Sequence, residues 1–242
     1  MILVLALMLG TSAVAESGAG TVLTARYNPE YPSPVVPEHE PTDDGYFTDA
    51  VFIGDSMMEY VELLGELPTA NYVWQIGMSP TSVGRKQFRV KGTDQRLTTY
   101  EKAAEYSPKK LYIMLGANGV DNFPVSHVIA EYEKAADALI THFPDALIYV
   151  ISAPPMSRKR MQEEQVPKKR YVNFANALQE LAARRHFYFI DLYSLVVNED
   201  GYLPGKYDAG DGFHLSNRAY SLLIEQVRKQ TVPYPVTEGE TP

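Results

Sequence analysis

The sequence has no cysteine in 242 residues, which excludes a disulfide scaffold, a thiolate metal site and lipid attachment through a cysteine. Basic residues are also few beside the acids, 22 against 30, and the formal net charge is −8. The deficit lies at the ends. Residues 1–45 hold one base, Arg26, against six acids, residues 231–242 hold two acids, and 46–230 stays near −1. Such a balanced body offers no overall positive field for a phosphate backbone, so nucleic acid is not an expected partner. Long apolar runs are missing too. Ile2 to Gly10 is the longest, far short of the roughly 20 residues that span a bilayer. With 45% apolar and 21% charged residues, collagen-like and low-complexity chains are excluded, and one globular domain with tails is expected.

The two ends read as tails. The apolar run is followed by Ala13-Val14-Ala15, the small-x-small form cut by signal peptidase, although no base precedes it. A cleaved signal over residues 1–15 is the expectation, against an uncleaved anchor or a frayed apolar tail, and it places the protein outside the cell or at the cell envelope. Pro29, Pro32, Pro34, Pro37 and Pro41 make 16–45 an acidic, Pro-rich spacer that favours extended backbone and buries no core. A similar tail covers 231–242.

Between them, short apolar runs alternate with longer amphipathic stretches, the pattern of a parallel sheet covered by helices. Strands are predicted at Ala50–Ile53, Tyr72–Ile76, Lys110–Leu115, Leu147–Ile151 and Phe187–Asp191. Helices are predicted near Asp94–Tyr106, Val125–Phe143, Val166–Arg185 and Asn217–Lys229, the last with Ser216 as N-cap. In an open α/β sheet the ligand site lies beyond the carboxyl ends of the strands, so the loops there carry the chemistry.

Four places stand out, three in such loops and one near the far end of the chain. Gly54-Asp55-Ser56-Met57 follows the first strand, where a serine on a strand-to-helix turn presents its hydroxyl outward. Gly-Asp-Ser is also ordinary turn and cap chemistry. In Asp211-Gly212-Phe213-His214 a three-residue spacing lets the carboxylate hold one imidazole nitrogen and leave the other free; the plain alternative is a solvated loop. Asn118, after the third strand, and Gly77, after the second, could each donate a hydrogen bond to an oxyanion, or simply form turns.

In order and spacing these places resemble the SGNH hydrolases, the GDSL-type esterases and lipases, across about residues 48–229. The resemblance implies a flavodoxin-like three-layer α/β/α sandwich with a parallel sheet of about five strands. It implies Ser56 as nucleophile, His214 as general base and Asp211 as its orienting acid. The oxyanion hole would be the N–H groups of Ser56 and Gly77 with the side chain of Asn118. Family members commonly place Asp after the Asn, whereas here Gly119 follows and Asp121 comes later. Asp55 is then structural, holding the turn. No cofactor or metal is implied: no His-x-x-x-His pair occurs, and Asp200, Asp208 and Asp211 do not match a calcium loop.

Substrate choice is less legible. Tyr60, Tyr72 and Trp74 are candidate platforms for a sugar ring or acyl chain, with core packing as the alternative. The expected substrate is a small acyl ester or an acylated glycan losing acetyl or another short acyl group. Longer acyl lipids, as for a lysophospholipase or thioesterase, transfer to a sugar hydroxyl, and a fold kept only for binding stay open. Arg158, Lys159, Arg160, Lys168, Lys169 and Arg170 against Glu163 and Glu164 form either a surface for an anionic polymer at the envelope or a solvated helix face. A histidine base works only when neutral, so activity is expected to fall in acid. Oligomeric state is not legible.

Overall fold

The computed structural model describes residues 22–235, and the expected signal segment 1–15 lies outside them. The strands are β1 Ala50–Gly54, β2 Asn71–Trp74, β3 Gln87–Arg89, β4 Arg96–Thr98, β5 Lys110–Met114, β6 Leu147–Ile151 and β7 Tyr188–Ile190. Five of them form one parallel sheet in the order β2-β1-β5-β6-β7, while β3 and β4 pair antiparallel in a ribbon of their own. The helices are α1 Ser56–Leu64, α2 Thr99–Ala104, α3 Ala117–Val120, α4 Val125–His142, α5 Arg158–Glu163, α6 Arg170–Arg185, α7 Leu192–Val196 and α8 Asn217–Lys229. α1 packs with α8 and α4 with α6, which gives the helix-covered sheet expected from the alternation. Every residue of β1, β5 and β6 is buried, as central parallel strands require.

One row of side chains crosses the whole sheet. The register aligns Tyr72, Phe52, Tyr112, Tyr149 and Tyr188 on neighbouring strands, with successive ring centroids 5.5, 4.4, 4.4 and 5.0 Å apart. Each such contact contributes about 0.5–1.5 kcal/mol beyond burial. Two phenols of the row, Tyr188 and Tyr149, and the neighbouring Tyr46 reach partners in the segments at the two ends of the described chain, whereas Tyr112 Oη is buried without one. Tyr188 Oη accepts from Asn28 N at 2.9 Å, Tyr149 Oη accepts from Val232 N at 2.9 Å, and Tyr46 Oη donates to Val232 O at 2.7 Å.

Those bonds correct the reading of 16–45 as a spacer. Its described part, from residue 22, lies against the domain: Ala25 and Val36 are buried, Arg26 bridges Leu147, and Phe189 N donates to Pro34 O at 2.7 Å. The last contact covers the outer edge of β7, where an unpaired N–H would otherwise invite another strand. Extended, Pro-rich backbone suits an edge cover because it offers carbonyls without needing a continuous ladder. Residues 231–235 are likewise part of the body, with Val232 fully buried.

Two further expectations shift. The helix predicted from Asp94 begins only at Thr99, because Thr98 and Glu101 form a capping box there and the preceding residues belong to the β3–β4 ribbon. The helix predicted from Val166 starts at Arg170. Ser216 does stand at the N-cap of α8, but its hydroxyl donates to Lys206 O rather than accepting from the helix.

Candidate active site

Each candidate residue follows a strand of the main sheet or enters α8 beside it. β1 ends at Gly54, where a Cβ would come within 2.7 Å of Met58 Cβ and 2.9 Å of Met114 O. Only glycine lets α1 start this close to β5. Asp55 then caps α1, its Oδ1 accepting from Met57 N at 2.9 Å, and Ser56 becomes the first helical residue. Its N–H is among those that an α-helix leaves without an internal acceptor, at the positive end of the helix dipole.

The loop after β2 folds back on β1 through Gln75 N and Gly54 O, 3.3 Å apart. Gly77 follows with φ +70°, a left-handed conformation that costs other residues strain. After β5, Asn118 sends its Nδ2 to Asp55 Oδ2 at 2.6 Å and toward Met78 O at 3.5 Å. The loops of β1, β2 and β5 therefore converge. Asp121, displaced from the usual position after the Asn, accepts from Gly119 N at 2.9 Å, and Arg170 Nη1 donates to Asp121 O at 2.9 Å. These bonds brace the Asn118 loop by another route.

His214 arrives from the far end of the chain. Its Nε2 lies 3.0 Å from Ser56 Oγ, and its Nδ1 lies 2.6 Å from Asp211 Oδ2. Asp211 Oδ1 accepts from Phe213 N and His214 N at 2.9 and 2.8 Å, so one carboxylate forms the turn and orients the ring. Asp208 shapes the same loop by accepting from Gly210 N and Gly212 N. With Nδ1–H donated to Asp211, Nε2 is the acceptor facing the serine hydroxyl. The arrangement can take a proton from Ser56 and stabilise the imidazolium that results.

The two carboxylates differ electrostatically. Desolvation would raise Asp211, but hydrogen bonds from the His214 ring, His214 N and Phe213 N lower it to about 2. Burial dominates at Asp55 and raises it to about 6 against the donors Met57 N and Asn118. Asp55 was legible as a turn former; its bond to Asn118 was not, because it joins residues far apart in sequence. Its absent signal is the topology that places β1 beside β5. Among the described residues no group of three or more His, Asp or Glu gathers to hold a metal. Asp200 pairs with Arg158 at 2.6 Å.

The aromatic candidates separate. Tyr60 stands beside the site, its ring 5.8 Å from His214 and stacked 5.8 Å from Tyr220. Tyr72 is the outer rung of the aromatic row, its hydroxyl donating to Leu67 O at 3.2 Å. Trp74 Nε1 donates to Glu62 Oε2 at 2.5 Å across to α1. Neither contact turns Tyr72 or Trp74 to the serine, so packing accounts for both. The basic stretch becomes α5 and the start of α6, where Arg158, Lys159 and Arg160 pair with Asp200, Glu163 and Glu164. Half of its basic residues are paired with neighbouring acids, and Arg170 donates to the carbonyls of Val120 and Asp121.

An open parallel sheet bearing a serine, a histidine and a carboxylate in line at its loop end defines the class of serine hydrolases with an α/β fold. A family model described as GDSL-like Lipase/Acylhydrolase family matches residues 44–222, and the chain belongs to that family, whose enzymes act on ester bonds. Among solved structures the fold is similar to a GDSL-like lipase from Bacteroides thetaiotaomicron, at 16% identity and TM-score 0.58, over 78% of this chain and 89% of that one. It is also similar to a member of the lipolytic protein G-D-S-L family from Veillonella parvula (15%, TM-score 0.53, 74% and 94%). A carbohydrate acetylesterase family member from Sinorhizobium meliloti aligns at 13% identity and TM-score 0.52, over 74% and 95%. No curated protein matches the chain.

Proposed function

We propose that this acylhydrolase is a serine esterase that removes acetyl or other short acyl groups from a carbohydrate. The observation that carries the reading is the Asp211–His214–Ser56 line lying open at the surface, with the His214 and Asp211 side chains 26% and 49% exposed. Two concavities among the described residues, at Tyr27–Tyr31 with His186 and at Val35 with Gln179, do not border Ser56. A long acyl chain needs an apolar channel to leave water, at about 0.8 kcal/mol per methylene. An acetyl group needs little, and an open site admits a bulky polymeric alcohol.

In the proposed reaction Ser56 Oγ attacks the ester carbonyl while its proton passes to His214 Nε2. The oxyanion is held by Ser56 N–H, Gly77 N–H and the Asn118 amide. The C–O bond to the alcohol breaks as His214 returns the proton to the leaving oxygen. Water, deprotonated by His214, then attacks the acyl-enzyme and releases the acid. Asp211 stays ionised throughout and stabilises the imidazolium. Asp55 accepts from one amide hydrogen of Asn118, and the oxyanion would take the other in place of its long 3.5 Å bond to Met78 O.

The test is turnover of p-nitrophenyl acetate, octanoate and palmitate by the wild type and Ser56→Ala. Acetate-selective turnover that vanishes in the variant is the expected result. Preference for palmitate would replace the glycan reading with a lipid one, and acyl transfer to an added sugar in place of acid release would make the chain a transferase.

A further inference from the structure

The β3–β4 ribbon, inserted between β2 and α2, concentrates basic charge beside the loop that carries Gly77. Over residues 85–96 it gathers Arg85, Lys86, Arg89, Lys91 and Arg96 against one acid, Asp94. Its register sets Phe88 opposite Leu97 and Arg89 opposite Arg96. Strand alternation sends these two pairs to opposite faces. Phe88 packs against the core, while Arg89 and Arg96 both stand exposed on the outer face. Like charges directly opposed across an antiparallel pair are destabilising unless an anion lies between them. The acid available is a poor one: Asp94 reaches Arg89 at 3.6 Å with both side chains in solvent. Among the described residues Arg96 and Lys91 have no ion-pair partner.

The ribbon is fastened to the loop that leads into the oxyanion hole. Gln75 Nε2 donates to Gln87 O at 2.7 Å, and Lys86 Nζ donates to Ile76 O at 3.3 Å. Gly77 is the next residue. The ribbon therefore lies against the loop that carries Gly77.

We propose that the outer face of the ribbon is a docking surface for an acidic glycan, the polymer that presents the acyl ester to Ser56. This rests on the reading of the site as a glycan esterase and adds the charge of its substrate. Guanidinium groups side by side match the carboxylates of a uronate chain, which they bind through paired hydrogen bonds. A soluble polyanion suits the face better than an anionic bilayer. Membrane-surface binding couples basic residues to exposed apolar ones, and no large apolar side chain of the ribbon is among the exposed ones.

The experiment compares the wild type with Arg89→Ser/Lys91→Ser/Arg96→Ser and with Arg89→Lys/Arg96→Lys. Each is assayed on O-acetylated polygalacturonate, on an O-acetylated neutral mannan and on p-nitrophenyl acetate. The serine variant should lose about tenfold in kcat/KM on the acidic polymer at low salt and keep its rates on the other two, which also reports a folded protein. The lysine variant should retain most of the acidic-polymer rate. Raising the salt should erase the wild type's advantage on the acidic polymer. Equal rates of wild type and serine variant on that polymer would overturn the proposal, as would stronger binding to phosphatidylserine vesicles than to polygalacturonate. A second readout, binding of Ser56→Ala to unacetylated polygalacturonate by affinity electrophoresis, separates the two readings. Binding that depends on Arg89 and Arg96 without turnover of any ester would keep the docking surface and remove the esterase reading. Ester turnover without such binding would do the reverse.

Discussion

The turn Gly54–Ser56 and the loop holding Asp211 and His214 meet at one serine hydroxyl, yet they are held by different means. Asp55 is 1% exposed, and its two oxygens bridge α1 and the loop after β5. Asp211 stands half in water and is kept in place by N–H groups of its own turn, with Asp208 repeating the device three residues earlier. A carboxylate under the sheet edge is positioned by tertiary packing and carries a desolvation cost. One at the surface is positioned by local sequence, and the hydrogen bonds of its own turn and of the His214 ring outweigh its desolvation. Hence burial raises Asp55 while hydrogen bonding lowers Asp211.

Ser56→Ala removes the atom that both halves serve, and it should have the largest effect. Loss of kcat by roughly 10⁴-fold or more is expected, with unchanged circular dichroism. A folded variant that still cleaves p-nitrophenyl acetate at the wild-type rate would break the assignment of the nucleophile.

Asp55→Asn tests the buried half. An amide at 55 sets a donor against Asn118 Nδ2, so the Asn118 side chain turns and brings its carbonyl oxygen to the oxyanion. A loss of about 10²–10³-fold, mainly in kcat, is expected from steady-state kinetics. The pH dependence sharpens the comparison. Because the folded value of Asp55 is raised from 3.8 to about 6, its protonated form favours folding. That contribution is complete below 3.8 and is lost as the pH rises to about 6, about 3 kcal/mol in all. Urea midpoints should therefore show Asp55→Asn gaining stability relative to the wild type across this window. A constant difference would refute the raised value. Activity runs the other way, since the Asn118 amide is held by the ionised carboxylate.

Asp211→Asn tests the exposed half and should cost less, about 10²-fold in kcat/KM. Water can reach the His214 ring and replace part of the lost bond. The lowered value of Asp211, about 2, keeps it ionised across the working range, so its stabilising contribution is lost only as the pH falls from 3.8 toward 2. A loss matching that of Asp55→Asn would mean that exposure does not distinguish the two carboxylates.

The same division explains what could be read in the sequence. Ser56 and Asn118 lie in short motifs just beyond strands with plain apolar runs, and Asp211–His214 in a short motif just before α8, so local pattern located them. The partner of Asp55 depends on β1 lying beside β5, which no local pattern states. The ribbon was missed because β3 and β4 have three residues each, too few for alternation to register, and β4 lies inside the helix predicted near Asp94–Tyr106. The packing of 22–45 was missed because its prolines signal extended backbone in a tether and an edge cover alike. What distinguishes them is Tyr188, whose buried hydroxyl needs Asn28, and that need arises only once the sheet exists.

Tyr60 and Tyr72 carry the smallest expected effects and divide along the same line. Tyr60 is exposed next to His214 with its ring supported by Tyr220, so Tyr60→Ala should raise KM for an acylated glycan a few-fold with little change in kcat. Tyr72 closes the aromatic row at the sheet edge. Tyr72→Phe keeps that ring and loses only the hydroxyl bonded to Leu67 O, which should cost about 1 kcal/mol in a urea titration and leave both kinetic constants alone. If Tyr72→Phe raised KM while Tyr60→Ala did not, the substrate would lie along β2 rather than over α1, and the approach to Ser56 would have to be redrawn from that side.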